Sequence, residues 1–188
     1  MEEDYGKRRH KHNRKQRPYV YILLLLLIIS WILVIWSMSA QSYQQQNIQP
    51  WLHQWIEKVQ IGFVLPDIQF TYGEYEYSLK QRPYDFAEFI FRKSAHLFVY
   101  AVLAMLVYGG LRYRRIRIMT CIVVALAVVL IIASIDEYIQ QFSPNRTSSI
   151  RDVGLDLLGG CCGIAVYAWL LSITRRIRKG RCDSVHDK

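Results

Sequence analysis

Four long apolar runs constrain this chain more than anything else in it. They are residues 18–38 (PYVYILLLLLIISWILVIWSM), 94–111 (SAHLFVYAVLAMLVYGGL), 118–135 (IMTCIVVALAVVLIIASI) and 153–173 (VGLDLLGGCCGIAVYAWLLSI). Each is close to the ~20 apolar residues that a helix needs to cross a bilayer. Buried helices of soluble proteins are usually shorter and more broken. The expected fold is therefore all-α, an integral membrane protein with four transmembrane helices. The second and fourth runs carry His96 and Asp156, so each has polar content near one end.

Basic residues then set the orientation. If the N-terminus is cytoplasmic, the inside segments carry 17 of the 24 Lys and Arg, in the N-terminal tail, the 112–117 connection and the C-terminal tail. The positive-inside rule thus places both termini in the cytoplasm. The net charge of +9 is accounted for by basic flanks against anionic headgroups. It does not call for nucleic acid, because the basic runs hug the spans and lack interleaved aromatics.

The expected organisation is a basic cytoplasmic tail at 1–17, a first transmembrane anchor at 18–38 and an extracellular loop at 39–83. A domain of three transmembrane helices at 84–173 and a second basic tail at 174–188 follow. A small residue, Ala40, follows the first run and resembles a signal-peptidase cleavage point, but the run is long for a signal sequence. An uncleaved anchor is the expectation. Within the loop, Trp51, Trp55 and Val59 at four-residue spacing predict a short amphipathic helix at the interface. The stretch IQFTYGEYEYSL (68–79) alternates in part and predicts a small hairpin. Three cysteines, Cys121, Cys161 and Cys162, lie in spans and Cys182 lies in the cytoplasmic tail, so no structural disulfide is expected.

The remaining chemistry gathers at one end of the spans. Lys93, His96 and Tyr100, spaced three and four apart, share one helix face. Glu137 shares another with Gln140 or Gln141, three or four residues on, at the end of the third span. Asp152, Asp156, Gly159 and Gly163 share a third, acidic at its outer end and bare further in. The two glycines form a small-xxx-small face suited to close helix approach, which would draw Asp156 into an interface. An ionisable group there needs a partner, and His96, Lys93 and Arg146 are within reach. Asp152 has two readings. It can close a capping box with Ser149 and meet the positive end of the helix dipole, or it can belong to a site. His96 likewise is either an ordinary interfacial histidine or an acid–base group. Lys93, Arg146 and Arg151 can bind an anion. No metal-ligand spacing, phosphate loop or nucleophile signature appears, so no metal and no cofactor is expected.

Together these motifs resemble the VanZ-like family of bacterial membrane proteins. The family pattern K-x-x-H-x-x-x-Y falls on Lys93, His96 and Tyr100. E-x-x-Q-x-F-x-P-x-R falls on Glu137, Gln140, Phe142, Pro144 and Arg146. D-x-x-x-N-x-x-G-x-x-x-G falls on Asp152, Asp156, Gly159 and Gly163, with Asp156 in place of the Asn. The motifs cover roughly residues 84–172. The resemblance implies a cell-envelope protein of the bacterial membrane, since the founding member is associated with resistance to teicoplanin, a lipoglycopeptide acting on cell-wall precursors. On this reading the ligand-binding candidates are Lys93, His96, Tyr100, Glu137, Gln140, Arg146, Asp152 and Asp156, and the acid–base candidates are His96, Glu137 and Asp156. The expected partners are the lipid bilayer and a lipid-linked or anionic amphiphile at the outer leaflet, and self-association is compatible with the sequence. Two rival readings stay open, a membrane enzyme acting on a lipid-linked phosphate and a purely structural role. A mechanism that relied on a neutral amide at position 156 would not transfer unchanged.

Overall fold

A computed structural model of the protein describes residues 18–40, 67–72, 75–142 and 149–186. Its elements are α1 (Pro18–Ser39), β1 (Gln69–Tyr72), β2 (Tyr75–Ser78), α2 (Pro83–Tyr113), α3 (Ile118–Gln140) and α4 (Ile150–His186). Each of the four helices contains a stretch long and apolar enough to cross a membrane. The expected all-α, four-span architecture is therefore what the chain forms. The interfacial helix expected at Trp51, Trp55 and Val59 lies outside the described residues, as does Arg146.

α2 has 31 residues, or ~46 Å at 1.5 Å per residue. The hydrocarbon layer is only ~30 Å thick, so part of α2 stands outside it. The helix opens with Pro83 in its first turn, with Asp85 beside it. The proline costs no hydrogen bond there and the acid meets the positive helix end.

Those first turns carry the hairpin. β1 and β2 pair antiparallel from Gln69↔Ser78 to Tyr72↔Tyr75, as the alternation of this stretch predicts. An isolated two-stranded hairpin is marginal in water. Here aromatic packing holds it: the Phe70 ring lies 5.4 Å from Phe86 and 5.4 Å from Phe89, and the Tyr77 ring lies 4.2 Å from Phe89.

The core runs along the seam of α2, α3 and α4, where Tyr100, Leu103, Ala104, Cys121, Ala125, Val129 and Ala133 are buried. Many of these residues are small, which suits packing between helices whose outer faces meet lipid. Leu26, Val123, Ile131 and Trp169 project outward, exposed. α1 is attached from the side by Ile35, which is buried. A second attachment is the Trp31 indole, whose Nε1 donates to the Val99 carbonyl at 2.9 Å.

The tightest contact in the bundle is between α2 and α4. A Cβ on Gly159 would stand 2.5 Å from the Leu97 carbonyl oxygen, and one on Gly163 would stand 2.8 Å from the Ala101 Cα. The two backbones touch because both positions lack side chains. This contact fixes where the acids of α4 arrive.

Candidate functional site

The Gly159 and Gly163 contact sets α4 on α2 with Asp152 and Asp156 beside Lys93 and His96. Four helices meet at this level: α1 by its last turn, α2 by its first half, α3 by its end and α4 by its start. β1 covers it from the side. The polar residues occupy two layers.

The outer layer is a clasp around one carboxylate oxygen. Asp152 Oδ1 accepts hydrogen bonds from the Lys93 ammonium and from the Tyr72 hydroxyl of β1. Lys93 Nζ also lies 4.8 Å from the centre of the Tyr72 ring, in range for a cation–π contact. Burial pushes the Tyr72 phenol above its ordinary range, and its bond to the Asp152 carboxylate adds to the shift. Tyr72 therefore remains a donor. The charge of Lys93 is matched by Asp152 rather than left open to a passing anion.

Of the two readings of Asp152, this geometry favours the site over the capping box. The carboxylate is turned to Lys93 and Tyr72. An ammonium across a close interface is a stronger partner than a backbone amide. The first turn of α4 is capped otherwise. Glu137 Oε1, reaching across from α3, accepts the Ser149 backbone N–H, where the helix dipole favours negative charge. Ser149 Oγ accepts the Arg151 N–H at 3.3 Å.

One turn deeper lies a denser group. His96 Nδ1 stands 3.5 Å from Asp156 Oδ1, so the partner that Asp156 needed is the histidine. Asp156 and Asp136 are each only 1% exposed. Asp136 Oδ2 accepts from Gln140 Nε2 at 3.0 Å, and the same amide donates to Ser39 Oγ of α1 at 3.3 Å. The Tyr100 hydroxyl sits by these acids, with its residue fully buried. Among the described residues, Asp136 Oδ1, Asp156 Oδ1 and the Tyr100 hydroxyl make no hydrogen bond. One donor atom each from His96, Asp136 and Asp156 lies within 4.8 Å of the other two.

The structure thus brings together Lys93, His96, Tyr100, Glu137, Gln140, Asp152 and Asp156, in three roles: Lys93 and Asp152 in the clasp, Glu137 at the cap, and His96, Tyr100, Gln140 and Asp156 in the deeper layer. Arg151 is exposed. Sequence reasoning missed Asp136. Adjacent residues diverge by ~100° on a helix, and attention went to the neighbour Glu137, yet both are buried. The four-residue spacing of Asp136 and Gln140 was the available signal, since such pairs meet on a helix face.

Chemically, the deeper layer offers a half-buried imidazole and two buried acids at one depth. That set can hold or move a proton, or ligate a cation. The outer layer, with its charges matched, positions β1 over it.

No curated protein and no solved structure matches the chain. The sequence model of the VanZ/LLP1 family matches residues 23–171. The match begins inside α1, so the first span and the hairpin fall within the family's extent and not only the 84–172 stretch that carries the motifs. With the four spans, the polar cluster and this match in place, the chain belongs to the VanZ/LLP1 family of multi-pass membrane proteins.

Proposed function

We propose that this protein modulates the bacterial cell envelope, and with it susceptibility to lipoglycopeptides of the teicoplanin type, through the polar cluster at the ends of α2, α3 and α4. The cluster faces the outer leaflet, with both termini cytoplasmic. Its ligand is an amphiphile with an anionic headgroup, taken up beside His96, Tyr100 and Asp156. The observation that carries this reading is the pair of buried acids. Keeping Asp136 and Asp156 almost fully out of solvent is costly in a membrane, and membrane proteins retain such groups chiefly where they do work.

The orientation is supported by the basic flanks and is checked by labelling. A single cysteine at Lys80, in a chain otherwise free of cysteine, should react with an impermeant maleimide from outside the cell. Protection there with reaction only in inverted vesicles contradicts the orientation.

The ligand is tested by native mass spectrometry of the protein in mild detergent. Wild type is expected to carry an anionic or isoprenoid lipid, and folded His96→Ala and Glu137→Gln variants are expected to lose it. An absence of lipid from folded wild type and variants alike contradicts the pocket. A second reading is favoured by the His96–Asp156 pair at 3.5 Å. Such a pair suits acid–base catalysis on a lipid-linked phosphate, and it predicts turnover that His96→Ala abolishes in a folded protein.

A further inference from the structure

We infer that His96, Asp136 and Asp156 form a binding site for a divalent transition-metal cation, held between α2, α3 and α4. One imidazole nitrogen and two carboxylate oxygens suit zinc, manganese or ferrous iron. The three donors already lie within 4.8 Å of one another. Metal bonds of about 2.0–2.2 Å put neighbouring ligand atoms ~3.3 Å apart in a tetrahedron, so small side-chain rotations close the set.

Two further observations point to a cation. The first is the free hydrogen-bonding capacity. Asp136 Oδ1 and Asp156 Oδ1 are buried and make no hydrogen bond among the described residues, and Asp156 Oδ1 is the atom that faces His96 Nδ1. A buried carboxylate oxygen that makes no hydrogen bond is unusual, because its desolvation is poorly offset. The second is charge. Two carboxylates sit together at 1% exposure, and the nearby Lys93 is taken by Asp152. A divalent cation offsets both.

The surroundings fit this role. The Gln140 amide bonded to Asp136 Oδ2 orients that ligand from behind, as metal sites require. Its other bond, to Ser39, anchors it to α1. Three protein ligands leave at least one coordination position open, and the Tyr100 hydroxyl stands nearby. That position would take an anionic oxygen of the ligand proposed above; this last step rests on that reading, whereas the metal site does not.

The experiment uses the full-length protein in detergent, stripped with a chelator, reloaded with Zn²⁺ or Mn²⁺ and desalted, with metal content read by elemental mass spectrometry. Wild type is expected to hold one equivalent per chain. Asp136→Asn and His96→Gln, checked for folding by circular dichroism, are expected to lose it. Gln140→Ala is expected to weaken affinity by ~10–100-fold. A variant with Cys121, Cys161, Cys162 and Cys182 all changed to Ser is expected to keep the equivalent. Loading wild type with Co²⁺ adds a readout that needs no variant to fold: visible d–d bands without thiolate charge transfer support the site. Wild type that takes up neither metal overturns the proposal. So does an equivalent that persists in both folded ligand variants, and so does a Co²⁺ spectrum dominated by thiolate. None of these readouts involves a lipid or an antibiotic. A chain that binds metal without affecting lipoglycopeptide susceptibility separates the two proposals, as does the reverse.

Discussion

Gly163 on α4 lies backbone to backbone against Ala101 on α2, so close that a Cβ on the glycine would stand 2.8 Å from the Ala101 Cα. Gly159 repeats the contact one turn earlier against Leu97. This approach brings Asp156 to His96 and Asp152 to Lys93, so the polar cluster depends on two residues that have no chemistry of their own.

Substituting either glycine should therefore unfold more than it repacks. Overpacking typically costs 1–3 kcal/mol, and here the obstacle is a helix backbone that cannot rotate away. Gly163→Ala is expected to cost about 3 kcal/mol. Gly154→Ala is the control, because nothing lies within 4 Å of a Cβ there. It should be neutral or stabilise by up to ~1 kcal/mol through helix propensity. Thermal unfolding in detergent ranks the three proteins, and equal melting temperatures for Gly163→Ala and Gly154→Ala would count against the close contact.

The Lys93–Asp152 clasp predicts strong coupling. Both side chains are partly buried, at 21% and 12% exposure, so removing either leaves the other charge poorly solvated. In a double-mutant cycle with Lys93→Met and Asp152→Asn, the interaction energy should be on the order of 1–3 kcal/mol. A coupling near zero would mean that the pair behaves as an exposed salt bridge.

Tyr72 gives that clasp a dependence on alkaline pH. Burial and the Asp152 bond raise its folded value above the ordinary 10.0. A group raised on folding lends stability that is fully present below its unfolded value and is lost as pH rises from there through the folded value. Stability should accordingly fall above pH ~10, and Tyr72→Phe should flatten that part of the profile. Asp152, Lys93, Arg151 and Glu137 are the charged groups around the phenol, so the comparison is with Tyr72→Phe rather than with an absolute slope. Identical profiles for wild type and Tyr72→Phe would contradict the assignment.

Much of this was legible in the residues. The four apolar runs specify four spans because lipid admits little else at that length, and the Gly159/Gly163 spacing announces the close contact. The hairpin was legible as alternation, and its seat on Phe86 and Phe89 was not, because aromatic packing between elements leaves no periodic trace. The depth of the polar cluster followed from placing Lys93, His96, Glu137 and Asp156 on helices. The division into two layers did not follow. Whether Lys93 meets Asp152 or Asp156, and whether Asp152 caps its helix or reaches across, depends on a shift of a single turn between helices. Asp136 was hidden by its neighbour, since adjacent acids at a helix end look interchangeable until the third helix decides which of them it covers. A metal-ligand spacing is likewise invisible when each donor comes from a different helix.

The central claim is that the cluster at the ends of α2, α3 and α4 works on the cell envelope rather than only locking helices together. It is tested most directly in cells whose lipoglycopeptide tolerance depends on this protein. There, Lys93→Ala, His96→Ala and Glu137→Gln are compared with wild type at matched membrane levels, beside the melting temperature of each purified variant. The account predicts that tolerance falls for all three, and that for His96→Ala it falls far more than the loss of melting temperature accounts for. Unchanged tolerance in all three, or a loss that simply tracks loss of stability, would contradict it.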